Sequence, residues 1–168
     1  MKKFLSLVIA MLPLVMVAQV KLGVVDSKKV FDLMPDKVQA EALLKVASDK
    51  YKAEYRVMEM DFNKKYADYQ AVAADPTTPE TILERRVQEL KESNTKIEAF
   101  QENTAAELEA KRAELMSPIE AKIQEAIEDV SLEQSLSIVF DTAKTPVAYT
   151  GPETIDITDL VLVRLGLK

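Results

Sequence analysis

Aromatic and methionine side chains recur at short intervals in one stretch of this sequence, between residues 51 and 69. A tyrosine ring contacts apolar groups while its hydroxyl stays hydrated, and a methionine adapts its shape to irregular surfaces. On one side of a helix, such side chains would form a surface for apolar ligands of varied sequence. The candidate residues for binding such ligands are Tyr51, Tyr55, Met58, Met60, Phe62, Tyr66 and Tyr69.

The same spacing has a second interpretation, in which most of these side chains form the seam between this helix and a neighbouring one. Met58 and Met60 cannot face the same way, because residues two apart on a helix lie on different sides. The sequence alone leaves both interpretations open.

Other kinds of chemistry have little support in this chain. It has no cysteine and no histidine, and therefore no thiol nucleophile, no imidazole base and no zinc finger. Three glycines are too few for a phosphate-binding or dinucleotide-binding loop. The carboxylates are numerous, but a run of charges on a helix is usually a solvated face. We therefore predict a protein that is not an enzyme and that uses no cofactor and no metal.

A turn between two prolines, Asp75-Pro76-Thr77-Thr78-Pro79-Glu80, organises the elements that carry these residues. A residue before a proline avoids the α region, so a helix that begins near Asp36 should end near Ala74. A second helix should begin with Thr77 or Thr78 as its N-cap, since Thr77 and Glu80 have capping-box spacing. Two helices of similar length joined by a short turn predict an antiparallel hairpin, roughly 57 Å long.

The second helix of this hairpin should reach Ser117, where Ser117-Pro118 is predicted to break or kink it. Polar residues at heptad positions interrupt its apolar stripe, which predicts a loosely specified coiled coil. Its net charge is −6 between residues 80 and 129, whereas residues 36–70 are neutral. The stripe consists of Leu83, Val87, Leu90, Ile97, Leu108 and Leu115, and the interruptions are Asn94, Gln101, Thr104 and Lys111.

Residues 1–18 have the pattern of a cleaved signal peptide. Two lysines precede an apolar run from Phe4 to Val17, and Ala18 offers a cleavage point. The run is short for a membrane span of about 20 residues. Cleavage after Ala18 would lower the net charge of the chain from −6 to −8.

A small body should form from both ends of the mature chain, residues 19–35 and 117–168, with residues 36–116 as the helical-hairpin arm and the turn at 75–80. We predict an α+β fold, with strands at 21–26, 136–141 and 147–150. Ser27 should cap a short helix over 28–34, and a last helix should begin with Asp156 as N-cap and end at Gly166. Apolar residues at helical spacing should hold the base of the second arm on the body, and they are Ile119, Ile123, Ile127 and Val130.

A sheet of three short strands is marginal by itself, and its edges need cover. We therefore predict a homo-oligomer in which subunits complete one another's sheets. The candidate oligomerisation residues are Val24, Val25, Ile138, Phe140, Val147 and Tyr149.

In their order and spacing, these segments resemble the Skp/OmpH-like periplasmic chaperones of Gram-negative bacteria. The resemblance covers essentially the whole mature chain. It implies a periplasmic homotrimer, in which three β bodies join in a barrel-like hub and three arms surround a cavity that holds unfolded outer-membrane proteins without ATP. The matching segments are Lys-Leu-Gly-Val-Val-Asp-Ser-Lys-Lys-Val-Phe at 21–31, Met34-Pro35, Ser-Ile-Val-Phe-Asp at 137–141, Val-Ala-Tyr at 147–149, Asp-Ile-Thr at 156–158 and Val161 to Leu165.

The charge of this chain departs from that family, whose familiar members tend to be basic. A net charge of −8 disfavours binding to nucleic acid, and it disfavours contact with anionic membranes or lipopolysaccharide. The alternative function is structural: an envelope coiled-coil or adaptor protein whose arms bind one folded partner.

Overall fold

The computed structural model describes residues 20–168, so the predicted signal peptide lies outside the described residues. These residues form a small sheet with short helices, and a long helical hairpin extends from it. In chain order the elements are β1 (Leu22–Val25), α1 (Ser27–Leu33), α2 (Pro35–Ala73), α3 (Glu80–Glu133), β2 (Ile138–Asp141), β3 (Ile155–Asp156) and α4 (Thr158–Arg164).

The sheet has three strands in the order β2-β1-β3, and both outer strands run parallel to β1. Parallel partners in register point to the same side, so Leu22, Ile138 and Phe140 share one face. Val25 and Val139 lie on the other face, against the helices. Both chain ends therefore contribute to one sheet, as predicted.

The hairpin pairs α2 with the first part of α3 in an antiparallel arrangement. Lys122 near its base forms an ion pair with Asp36, and the Tyr51 hydroxyl donates a hydrogen bond to Glu107 further out. These two pairs are placed symmetrically about the turn, so the helices lie side by side without a shift in register. At about 1.5 Å per residue, the 39 residues of α2 extend roughly 58 Å.

Two expectations about the ends of the helices are wrong. The Thr77 hydroxyl donates to Asp75 Oδ1 at 2.7 Å, so it does not cap α3, whose N-cap position is Pro79 without a side-chain bond. The Asp75 side chain also accepts from the Thr77 N–H, because aspartate forms such local turns readily. At the other end, α3 does not break at Pro118 but continues to Glu133.

The core of the body lies between the sheet, the base of α3 and the two short helices. Ile119, Ile123 and Val130 of α3 are buried in it and Ile127 packs against it, as their spacing predicted. These side chains hold α3 on the body beyond Pro118, which explains why the helix continues there. The other buried core residues include Val25, Val30, Met34, Ile157, Val161 and Leu162.

The strand predicted at 147–150 is absent, and a two-residue strand at Ile155–Asp156 pairs with β1 instead. Strand propensity depends strongly on context, and Ile155–Asp156 occupy the edge of β1 that residues 147–150 would need. Asp156 is consequently a strand residue, and the N-cap position of α4 is Ile157. Similarly, Asp26 and not Ser27 caps α1, accepting a hydrogen bond from the Lys29 N–H at 2.9 Å.

Helix α4 ends at Arg164, and Gly166 provides the turn that terminates it. Gly166 has a φ of 70°, a backbone region that glycine enters without steric cost. The Leu167 N–H donates to the Leu162 carbonyl and the Gly166 N–H to the Val163 carbonyl, which is the Schellman pattern. The predicted end of the last helix at Gly166 is confirmed.

Candidate functional site

The seam of the hairpin takes up most of the aromatic side chains of α2. Their half-buried positions recur at alternating intervals of four and three residues, which is the heptad pattern of a helix that faces one partner. The Tyr51 ring meets the Phe100 ring edge-on, with centroids 6.3 Å apart. Five of the seven candidate client-binding residues thus lie toward α3: Tyr51, Tyr55, Met58, Phe62 and Tyr69.

The α3 side of this seam differs from the predicted one. Asn94 and Gln101 are exposed, and their neighbours Ser93 and Phe100 face α2 instead. Thr104 and Lys111 do lie at half-buried positions, so the seam is still interrupted by polar groups. A cleft of about 540 Å³ opens beside it, where Tyr51, Tyr55 and Phe100 are among the lining residues. The hairpin is therefore incompletely packed at mid-length.

Hydrogen bonds to carboxylates raise the pKa of two seam tyrosines. Tyr51 donates to Glu107 Oε2 at 2.5 Å, and this bond, with some desolvation, raises the pKa of the Tyr51 hydroxyl. A hydrogen bond to Glu59 raises the pKa of the Tyr55 hydroxyl in the same way. Both hydroxyls therefore remain protonated donors at neutral pH, and neither can act as a base there.

The other two candidates, Met60 and Tyr66, are exposed, by 63% and 45%. Met60 belongs to a second heptad series on the exposed side of α2, outside the seam, which we call the outer stripe. Sequence reasoning missed this series because it followed the larger aromatic residues. The signal was present in the spacing, which alternates between three and four along Leu43, Val46, Lys50, Ala53, Val57, Met60 and Lys64, all of them exposed.

The two helices of the arm have different surfaces. On α2 the large exposed apolar side chains are Val38, Leu43, Val46, Val57, Met60 and Tyr66. Within residues 80–131, in contrast, no large apolar side chain of α3 is exposed. This part of α3 also carries the negative net charge of the arm. The arm therefore presents apolar groups from one helix and acidic groups from the other.

A second apolar surface lies on the body, on the face of the sheet that points away from the core. Ile138 and Phe140 are 49% and 42% exposed there. Strand β2 also ends the sheet, so its outer backbone edge is unpaired within residues 20–168. A groove of about 690 Å³ follows this edge between α1, the base of α3 and β2.

The candidate oligomerisation residues divide between this surface and the core. Val25 is only 1% exposed and packs inside the protomer, so it is not available as a contact residue, and Val24 is also buried. Tyr149 is exposed and Val147 is half-buried. Ile138, Phe140 and Tyr149 are therefore the candidates that remain accessible.

Asp141 at the end of β2 joins the sheet to the start of α1. Its carboxylate accepts a 2.6 Å hydrogen bond from the Ser27 hydroxyl, and it also accepts from the Ser27 and Ala143 N–H groups. Burial by itself would raise the pKa of the Asp141 carboxyl. The hydrogen bonds outweigh this effect, helped by the Lys144 ammonium, and lower its pKa below the ordinary value. Asp141 is therefore a structural anion.

Neither a metal centre nor a membrane-spanning helix stands out in the described part of the chain. No group of three or more carboxylate side chains is placed to hold a metal ion there. None of the helices between residues 20 and 168 combines the length and apolar character needed to cross a bilayer.

These features define a structural class before any comparison: a protein with a helical-hairpin arm that exposes an apolar helix surface and stands on a small parallel sheet. The particular family follows from its sequence. The family model for the outer membrane protein (OmpH-like) family matches residues 21–165, and the chain belongs to that family. The resemblance found in the sequence is thereby confirmed.

The fold has a counterpart among solved structures. The chain is similar to a crystal structure from Caulobacter crescentus CB15 whose description assigns it to the OmpH-like outer membrane chaperones. The two are 19% identical, with a TM-score of 0.65, and the match covers 88% of this chain and 83% of that chain. At this identity the likeness concerns the fold alone. A comparison with curated proteins finds no match.

Proposed function

We propose that this protein is an ATP-independent periplasmic holdase, which binds unfolded outer-membrane proteins between its helical arms and prevents their aggregation. Membership of the OmpH-like family supports a chaperone, and the description of the Caulobacter structure agrees with that class. The export that this function requires rests on the predicted signal peptide.

The observation that carries the proposal is the exposed apolar surface of α2. Its large side chains are spread from Val38 to Tyr66 and are not gathered in one pocket. At about 1.5 Å per residue this surface extends roughly 42 Å along the arm. Many weak contacts along such a length retain an unfolded chain by multivalency, while each contact is weak enough to release it. No shared client sequence is needed.

We propose further that the protein works as a homotrimer with a barrel-like hub. The free edge of β2 and the exposed Ile138 and Phe140 support this proposal, because unpaired edges and apolar sheet faces are places where protein chains associate. The groove beside β2 is suited to receive a segment of a neighbouring subunit. Three arms around one axis would then enclose the client.

The test dilutes a urea-unfolded outer-membrane barrel into buffer and records its light scattering, with and without the protein. A matched variant lacks residues 59–72 and 86–99, which face each other across the hairpin and comprise two heptads on each side. We expect the full-length protein to suppress scattering and the shortened variant to lose most of this activity. Sedimentation must show that both have the same oligomeric state.

Two results would contradict the holdase. One is an unchanged activity in the shortened variant, and the other is a failure of the full-length protein to suppress scattering of several unrelated barrels. A structural adaptor would also behave differently at single positions. One or two substitutions at a hot spot would abolish binding of its folded partner, whereas a holdase would tolerate each of them.

A further inference from the structure

The outer stripe of α2 carries positive charge inside an acidic protein. Lys50 and Lys64 occupy stripe positions, and no carboxylate of residues 20–168 lies within 4 Å of either ammonium group. No stripe position between Leu43 and Lys64 holds an acidic residue. The only charges in line with the apolar side chains are therefore two unpaired cations.

The surroundings of the stripe keep these lysines available. Asp49, next to Lys50, accepts from Lys45 at 2.6 Å, and Asp61 accepts from Lys65 at 2.5 Å. Two neighbouring carboxylates are thus already paired with other lysines. Glu54 and Asp68, four residues after Lys50 and Lys64, lie beside the stripe without an ion pair within 4 Å, and Arg56, also without one, lies on the opposite flank from Glu54.

A groove at the body end of the stripe adds depth to this surface. It has a volume of about 390 Å³, and Leu43, Val46 and Lys50 of α2 line it together with Leu108 of α3. Glu107 and Lys111 of α3 line it as well, but the Glu107 carboxylate already accepts a hydrogen bond from the Tyr51 hydroxyl, and Lys111 pairs with Glu114. An apolar side chain that entered the groove would place the following residues of its chain near the Lys50 ammonium. The arrangement combines an apolar contact with a site for a carboxylate.

We infer that the outer stripe is the client-contacting surface of the arm, and that it favours unfolded segments in which apolar and acidic side chains alternate. The inference rests on the proposed holdase function and specifies its ligand. The net charge of the whole chain suggests the opposite preference, for basic clients, by long-range attraction. Contact at the stripe is decided by the local lysines, because charges beyond about 10 Å are screened at ordinary salt.

The test compares two labelled peptides with the same apolar residues, one with four aspartates and the other with four lysines, by fluorescence anisotropy. The charge-reversal variant carries Lys50→Glu and Lys64→Glu. Its matched control carries Lys91→Glu and Lys96→Glu, which reverse two exposed lysines of α3 that also lack ion pairs and give the same net charge. Circular dichroism and sedimentation verify that both variants remain folded.

We expect the native protein to bind the acidic peptide more tightly than the basic one. The Lys50/Lys64 variant should bind the acidic peptide about fivefold more weakly, and the Lys91/Lys96 control should change by less than about twofold. Replacement of Val57 and Met60 by serine should weaken both peptides equally, since their apolar residues are the same. This separates the apolar part of the contact from the charged part.

The inference is overturned if the two charge-reversal variants weaken the acidic peptide equally, or if the basic peptide binds as tightly as the acidic one. Aggregation suppression by the native protein is measured in parallel. If the native protein suppresses aggregation but both charge-reversal variants bind the acidic peptide equally, the holdase remains supported and the stripe preference is refuted. Absence of suppression contradicts the holdase itself, whatever the peptides show.

Discussion

The bond between Ser27 and Asp141 allows a quantitative test of the structure. Ser27 is the first residue of α1 and Asp141 the last of β2, so their 2.6 Å bond joins segments that are 114 residues apart in sequence. The Asp141 side chain is 19% exposed, which limits competition from water. A hydrogen bond to a charged group in such a place contributes about 2 kcal/mol.

We therefore expect a double-mutant cycle of Ser27→Ala and Asp141→Ala, which removes every side-chain acceptor at position 141, to give a coupling free energy of about 2 kcal/mol at pH 7. Ser27→Ala leaves the helix cap intact, because Asp26 provides it. Unfolding in urea should be followed by circular dichroism at one fixed protein concentration, since the stability of an oligomer depends on concentration. A coupling free energy near zero would refute the hydrogen bond as described.

The pH dependence of the unfolding free energy tests the contribution of Asp141 independently. Because the pKa of Asp141 is lowered in the folded protein, its stabilisation is fully present above the unfolded pKa of about 3.9. It is lost as the pH falls through the lower, folded-state pKa. The difference in unfolding free energy between the native protein and Asp141→Asn should therefore shrink between pH 5 and pH 2.

Asp32→Asn provides the matched control. Hydrogen bonds from Lys28 and Lys37 lower the pKa of Asp32 to about 2, but this carboxylate lies at the surface. Solvent and salt screen such pairs. The effect of Asp32→Asn should therefore disappear at high salt, whereas that of Asp141→Asn should persist. Equal salt dependence of the two would contradict the partly buried position of Asp141.

Three further outcomes are expected. Aspartate at both Ile138 and Phe140 should dissociate the oligomer in sedimentation experiments while each protomer keeps its helical circular dichroism; an unchanged sedimentation coefficient would exclude this sheet face from the interface. Gly23→Ala would place a Cβ 2.7 Å from Leu136 Cδ1, so it should destabilise the body by about 1–3 kcal/mol in urea; native stability would contradict the close packing. Tyr66→Ala should change client affinity by less than about twofold, because it removes one contact among many; a tenfold loss by fluorescence would favour a hot-spot interface.

The parts of the fold that sequence predicted are those set by strong local signals. The turn at Pro76 and Pro79 placed both helices of the hairpin, and the stripe from Ile119 to Val130 placed the base of α3. The strand at Val147–Thr150 failed for a different reason: a strand depends on a partner, and only the three-dimensional arrangement shows that β1 is paired elsewhere. The break that the sequence allows at Pro118 does not occur, because tertiary packing of Ile119 and Ile123 outweighs the cost of one missing helix hydrogen bond.

The candidate site was only half predictable, because α2 has two heptad series and the sequence does not say which one faces α3. For the larger side chains the spacing allows a seam or a binding surface, and most of them lie in the seam. A hydrophobic series made of small and medium residues interspersed with lysine is hard to recognise in a sequence, and the structure shows that no other part of residues 20–168 covers it. The sequence shows that Met58 and Met60 lie on different sides of the helix, and only the structure shows that Met60 is the exposed one.

If three arms surround a client as proposed, the lysines of the outer stripe would keep this long apolar surface from pairing with that of a neighbouring arm. Leu43, Lys50, Val57 and Lys64 lie seven residues apart, so leucine or valine alternates with lysine at one heptad position. Two such stripes that paired with each other would bring buried lysines together, and like charges at that position strongly disfavour a coiled coil. An unfolded segment carrying carboxylates meets no such repulsion. Lys50 and Lys64 would thus prevent the arms of a trimer from closing on one another and favour the entry of a client. The double substitution Lys50→Leu and Lys64→Leu should therefore cause concentration-dependent association of arms in sedimentation.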